Sequence, residues 1–272
     1  MKREKLKEYL DELYRRYNRK SYLDSDPLMF VHQYRCREEM EIAALIASSL
    51  SYGNIKMIKK NVATVLNAMN PSPLRFLLKF EPYKWKALFG NFRHRFNDGE
   101  DVANLIFFAK QMIEQHGSVE AFFMQGYDPL SDMKCAIDSF SRRALLLKRV
   151  ASSSGMIGSR KSRKKYGGVI FFFPSPSDGS PCKRLNLFLR WMIRKDRLDL
   201  GLWKGVARSQ LVIPLDIHVV AAAQKLGLTR RENPSWHMAV EITETLKMID
   251  PEDPVKYDFA LCHKDIVPND VK

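Results

Sequence analysis

Lys183 and Asp216 are the residues of this chain whose types and spacing could do chemistry together. Lys183 stands in Gly179-Ser180-Pro181-Cys182-Lys183-Arg184-Leu185-Asn186, which opens an amphipathic helical stretch. Asp216 follows 33 residues later, in Ile213-Pro214-Leu215-Asp216-Ile217-His218-Val219. A lysine amine is a nucleophile only once it has lost its proton, which takes desolvation or a site that strips the proton away. A neighbouring carboxylate does not lower the lysine pKa, but it accepts a proton and stabilises a cation that forms beside it. A surface cation and an N-terminal cap have the same appearance, and Asp216, just after Pro214, suits a cap on a helix beginning at Ile217 whether or not it is catalytic.

Other residues of chemical interest read as structural. His218, two residues beyond Asp216, reads as a helix-facing histidine and not as a general base. His32, His94, His116, His237 and His263 are scattered without ligand spacing, and Cys36, Cys135, Cys182 and Cys262 are too far apart for a zinc or iron–sulfur run. No metal and no cofactor is therefore expected, and the cysteines read as free thiols in a reducing compartment. Large aromatics such as Trp191 and Trp203 line cores first and offer stacking faces second.

The elements that must position the lysine and aspartate are helical almost throughout. Leu6, Leu10, Leu13 and Tyr17 space a first helix, and Glu38 to Leu50 is apolar on nearly all sides, the pattern of a central buried helix. Ser51-Tyr52-Gly53-Asn54 stops it and starts the next, Ile55 to Met69. Further helices are expected over Asp101–His116, from near Ser118, and over Leu130–Leu147, Cys182–Ile193, His218–Leu226, Ser235–Met248 and Pro254–Cys262. Val169-Ile170-Phe171-Phe172-Phe173 has strand composition, but Pro174 and Pro176 cut it short, so it reads as an apolar plug. The expected fold is all-α: one domain over residues 1–272, with two helical lobes around a cleft. The lobes interleave in sequence, roughly 40–170 and 171–272, the second taking in the N-terminal helix.

A formal charge of +14, from 45 Lys+Arg against 31 Asp+Glu, suits a polyanionic partner, with a merely soluble basic surface as the alternative. The densest cations lie in Arg160, Lys161, Arg163, Lys164 and Lys165, flanked by Gly and Ser, where they could meet several phosphates or stay solvated. At helical spacing Lys183, Arg190 and Arg194 share one face, which could border a phosphate track. The charged amino terminus lacks an apolar signal core, and no window has the roughly 20 apolar residues needed to cross a bilayer. A cytoplasmic, soluble monomer is expected.

Gly179 to Asn186 resembles the hairpin and helix start of helix-hairpin-helix DNA glycosylases, whose pattern runs G-x-G-x-K-x-x-N. Leu215-Asp216-Ile217-His218-Val219 is similar to the V-D-T-H-V of that superfamily. The resemblance implies Lys183 as nucleophile and Asp216 as catalytic carboxylate. It also implies Gly179, Ser180, Arg184 and Arg190 on the DNA side and a base pocket near Ser51, Tyr52, Trp191 and Trp203. The partner it implies is double-stranded DNA carrying a damaged base, and the activity is base excision with AP lyase scission. Pro181 stands at the second glycine and has no N–H to give a phosphate. The lysine-to-aspartate spacing exceeds that of the bacterial thymine-glycol enzymes and is nearer to the archaeal 8-oxoguanine branch, which makes an oxidised base such as 8-oxoguanine the expected lesion. A closer resemblance, to an uncharacterised bacterial family of DUF2400 type, rests on Cys182 to Met192, Ile213 to Val219 and Asp253 to Leu261. It implies no reaction. A non-catalytic binder of distorted or branched nucleic acid on the same scaffold is the alternative, motivated by Pro181.

Overall fold

Nine consecutive buried residues, Glu41 to Ser49, make the Arg37–Ser49 helix the centre of the molecule. Glu38 and Glu39 in its first turn oppose the positive end of the helix dipole. Ala43, Ala44 and Ala47 give it a thin waist, against which the Leu28–Val31 and Lys183–Ile193 helices pack. The computed structural model describes residues 3–150 and 167–263, and the cationic run Arg160, Lys161, Arg163, Lys164 and Lys165 lies outside them. The fold is all-α. Among the described residues the only sheet is the two-residue hairpin of Arg93–His94 with Asn97–Asp98.

The helices begin and end where local chemistry dictates. Asn54 accepts from the Lys56 amide (2.9 Å) to start Ile55–Ala68, and Asp98 and Asp101 form a reciprocal capping box at the head of Gly99–His116. Ser118 and Asp132 cap the Val119–Met124 and Met133–Leu146 helices. One apolar cluster takes in Leu10, Leu45, Phe108, Trp191, Ile213 and Leu261, so it draws on helices from both halves of the chain. Each such buried side chain contributes about 1.5–3 kcal/mol. The Arg3–Tyr17 helix packs against Asp258–His263, and Tyr257 donates to Asp11 Oδ1 (2.8 Å) across that contact.

Several elements differ from the sequence expectation. Pro73–Lys79 is a helix capped by Ser72 with proline in its first turn, and Leu28–Val31 and Trp85–Phe89 are helical too. The apolar plug is a 3-10 turn, Gly167–Phe171, with Val169, Phe172 and Phe173 in the core. Pro254–Cys262 divides into a 3-10 turn, Pro254–Tyr257, and a helix, Asp258–His263. The hairpin tip carries Arg95 in the left-handed region (φ +52°) and Phe96 60% exposed.

Candidate functional site

Gly179 ends a 3-10 turn, Pro176–Asp178, with φ +79°, a conformation that glycine adopts without Cβ strain. Cys182 then takes up a left-handed conformation (φ 49°, ψ 34°) immediately before the Lys183–Ile193 helix. For a residue with a side chain this costs on the order of 1 kcal/mol. The buried Cys182 thiol lies 3.5 Å from the Pro174 carbonyl and 3.5 Å from that of Ser180, and burial pushes it up to about 12. It is a packed thiol, not a nucleophile. The kink sets the direction in which Lys183 leaves the hairpin.

Lys183 Nζ lies 3.7 Å from Asp216 Oδ2 and donates to the Ser51 carbonyl at 3.4 Å. Asp216 caps the Ile217–Leu226 helix, its Oδ1 accepting from the amides of His218 (2.9 Å) and Val219 (2.8 Å). One carboxylate oxygen thus serves the helix and the other faces the lysine. The lysine and aspartate side chains remain 29% and 21% exposed, and both open onto a pocket of about 440 Å³. Its volume lies in the range of small-molecule sites. Ile58, Leu187, Pro214 and Phe259 supply apolar wall, and Asp26, Asp258, Cys262 and His263 supply polar groups. Ser51 lines it as well, beside Gly53, whose φ of +97° turns the chain away from the central helix.

Tyr52 stands behind this wall. Its hydroxyl donates to the His94 carbonyl (2.8 Å), its ring stacks at 6.5 Å with that of Phe96, and burial pushes it up to about 12. The Arg184 guanidinium lies 4.8 Å from the Tyr52 ring centre and donates to the Ser49 carbonyl (3.3 Å); burial brings it down to about 10. Arg184 is therefore held against protein by its ring and carbonyl contacts while its side chain stays partly exposed.

Four further residues depart from the roles that the sequence reading gave them. Arg190 is 2% exposed, donates to Asp199 (3.2 Å) and pairs with Asp258. Burial works against its charge, but Asp199 and Asp258 outweigh that and hold it above its ordinary value. Its guanidinium contributes to the pocket lining with both carboxylates already engaged, so it borders no phosphate track. Arg194, on the same face, is locked by Asp196, Asp199 and Asp253. The stretch Leu185–Ile193 is buried on every side, and the one cation it contains, Arg190, is neutralised inside. Trp191 and Trp203 are 0% and 1% exposed and offer no face to a base. Trp203 donates from Nε1 to Glu41 (2.7 Å), which also holds the amides of Val119 and Glu120.

The hairpin amides are largely committed. Gly179 donates its N–H to the Pro176 carbonyl (2.9 Å), Cys182 donates to Ser180 Oγ (3.1 Å), and Pro181 has none. Asn186 Nδ2 ties the Pro181 carbonyl to the helix (3.1 Å). Asp258, Cys262 and His263 were not legible as pocket residues. Their signal was the Asp253–Leu261 stretch, whose two aspartates answer the two arginines at the buried end of the Lys183–Ile193 helix. Among the described residues no His, Cys, Asp and Glu side chains converge as a metal site.

Fold and site together define an all-α protein that carries a lysine–carboxylate pair at the mouth of a pocket between helix starts. The chain belongs to the family described as a protein of unknown function (DUF2400), whose profile matches residues 26–267. No curated protein and no solved structure matches the chain. Among the described residues no helix is long and apolar enough to cross a membrane.

Proposed function

We propose that this protein is a DNA base-excision glycosylase with AP lyase activity, acting on double-stranded DNA that carries an oxidised base, with 8-oxoguanine the first lesion to test. The observation that carries the reading is the approach of Lys183 Nζ to within 3.7 Å of Asp216 Oδ2 at a pocket of about 440 Å³. The resemblance of Gly179–Asn186 and Leu215–Val219 to the helix-hairpin-helix glycosylase motifs supplies the reaction class. In this mechanism the target nucleotide leaves the stack and places its sugar at the pair. The neutral Lys183 amine attacks C1′, the N-glycosidic bond breaks, and its electron pair departs with the base. Asp216 stabilises the positive charge that develops on the sugar and takes the proton released by the lysine nitrogen. Opening of the sugar ring gives a Schiff base at Lys183, and β-elimination of the 3′ phosphate cuts the strand.

Borohydride trapping on duplexes carrying single defined lesions tests the reading. A covalent adduct with at least one lesion, lost in Lys183→Gln, is the expected result. No adduct with any lesion, or an adduct that persists in Lys183→Gln, overturns it. A non-catalytic binder of distorted or branched nucleic acid gives affinity without an adduct.

A further inference from the structure

Asp216 has two oxygens with separate employment. Oδ1 is taken by two backbone amides of its own helix, so only Oδ2 can meet Lys183, and only while the carboxylate plane stays in one orientation. Terminal torsions of aspartate are broad, and a lysine 3.7 Å away on a flexible stem does little to fix them. The second group on Oδ2 is the Cys262 thiol, 3.5 Å away, from the Asp258–His263 helix, which packs against the Ile217–Leu226 helix that Asp216 caps. The same sulfur lies 3.9 Å from Asp258 Oδ1, while Asp258 Oδ2 is held by Arg190. Burial, then the charges of Asp258 and Asp216, push this thiol well above its ordinary range, so at neutral pH it carries a proton to donate. Lys183, Arg190, Asp258, His218, Asp26 and His263 are the other charged or titratable groups facing this pocket.

We propose that Cys262 is a positioning residue for Asp216: its S–H donates to Oδ2 and holds that oxygen toward the Lys183 amine. The inference rests on reading the pocket as a lyase site, and two measurements separate its failure from the failure of that reading. The first is independent of activity. The S–H stretching band of Cys262, isolated as the difference between the wild type and Cys262→Ser, moves to higher frequency in Asp216→Asn, which offers a weaker acceptor, and stays in place in Asp258→Asn. A band that ignores Asp216→Asn, or that moves only with Asp258→Asn, overturns the proposal.

The second measurement is the rate of borohydride trapping. Cys262→Ala slows trapping about fivefold near neutrality, the loss of one modest hydrogen bond to a charged acceptor. Cys262→Ser, which keeps a donor, restores the rate. An Ala variant as fast as the wild type, or a Ser variant as slow as Ala, also overturns the proposal. If the wild type forms no adduct, the lyase reading falls and takes the positioning role in catalysis with it, while the infrared band still decides the contact.

Discussion

The two ends of the Lys183–Ile193 helix treat the same chemistry in opposite ways. At its start Lys183 meets one carboxylate at 3.7 Å, with both side chains still a fifth or more exposed. At its end Arg190, and Arg194 just beyond, are sealed among Asp196, Asp199, Asp253 and Asp258. A buried guanidinium has to be paired on every side, because an unpaired charge in the interior is prohibitive, and complete pairing leaves it nothing to offer a ligand. An exposed ammonium with one partner gives up little when that partner turns to a substrate. The closed end holds the helix still, and the open end is where chemistry has room.

The sharpest way to break this comparison is Arg190→Ala. It leaves Asp258 and Asp199 buried with Arg190's share of their charge uncompensated, and the expected loss of unfolding free energy is about 3–5 kcal/mol in urea denaturation. A loss of less than about 1 kcal/mol would mean that the closed end is no tighter than a surface pair. A smaller effect is expected from pH. Burial pushes Asp258 up to about 6, against an ordinary 3.8, with Arg190 pulling the other way and Asp216 adding to the rise. The folded chain therefore keeps a proton between about pH 4 and 6 that the unfolded chain has lost, and this part of the stability declines as pH rises through that window. Asp258→Asn removes the decline, so urea midpoints of wild type and variant should converge or cross between those values. Parallel curves would show that Asp258 ionises as an exposed aspartate does.

How much of this could be read from the sequence follows the same division. Periodicity located the longer helices, and the resemblance of the stretches around Lys183 and Asp216 to the glycosylase motifs is what led the two to be expected side by side. Both stand at helix starts, where local pattern fixes side-chain direction. The burial of Trp191 and Trp203 follows from their type, since large aromatics line cores first, whereas the fate of Arg190 was not legible, because it depends on Asp199 and Asp258, 9 and 68 positions away in the chain. A cation on a helix face looks the same in sequence whether it points at water or at a buried aspartate. Cys262 was invisible for a related reason: a lone cysteine acquires meaning only from the two carboxylates that tertiary packing places beside it.

The smallest effect on stability is expected at the residue most important to the proposed chemistry. Lys183→Gln removes a partly exposed pair and one long contact to the Ser51 carbonyl, and leaves Asp216 still accepting from two amides as a helix cap. The unfolding free energy should change by no more than about 1 kcal/mol, while borohydride trapping disappears. That separation between folding and reactivity is what a site at the open end requires. A Lys183→Gln chain destabilised as much as Arg190→Ala would place the lysine among the structural cations, and its lost trapping would then report unfolding in place of a missing nucleophile.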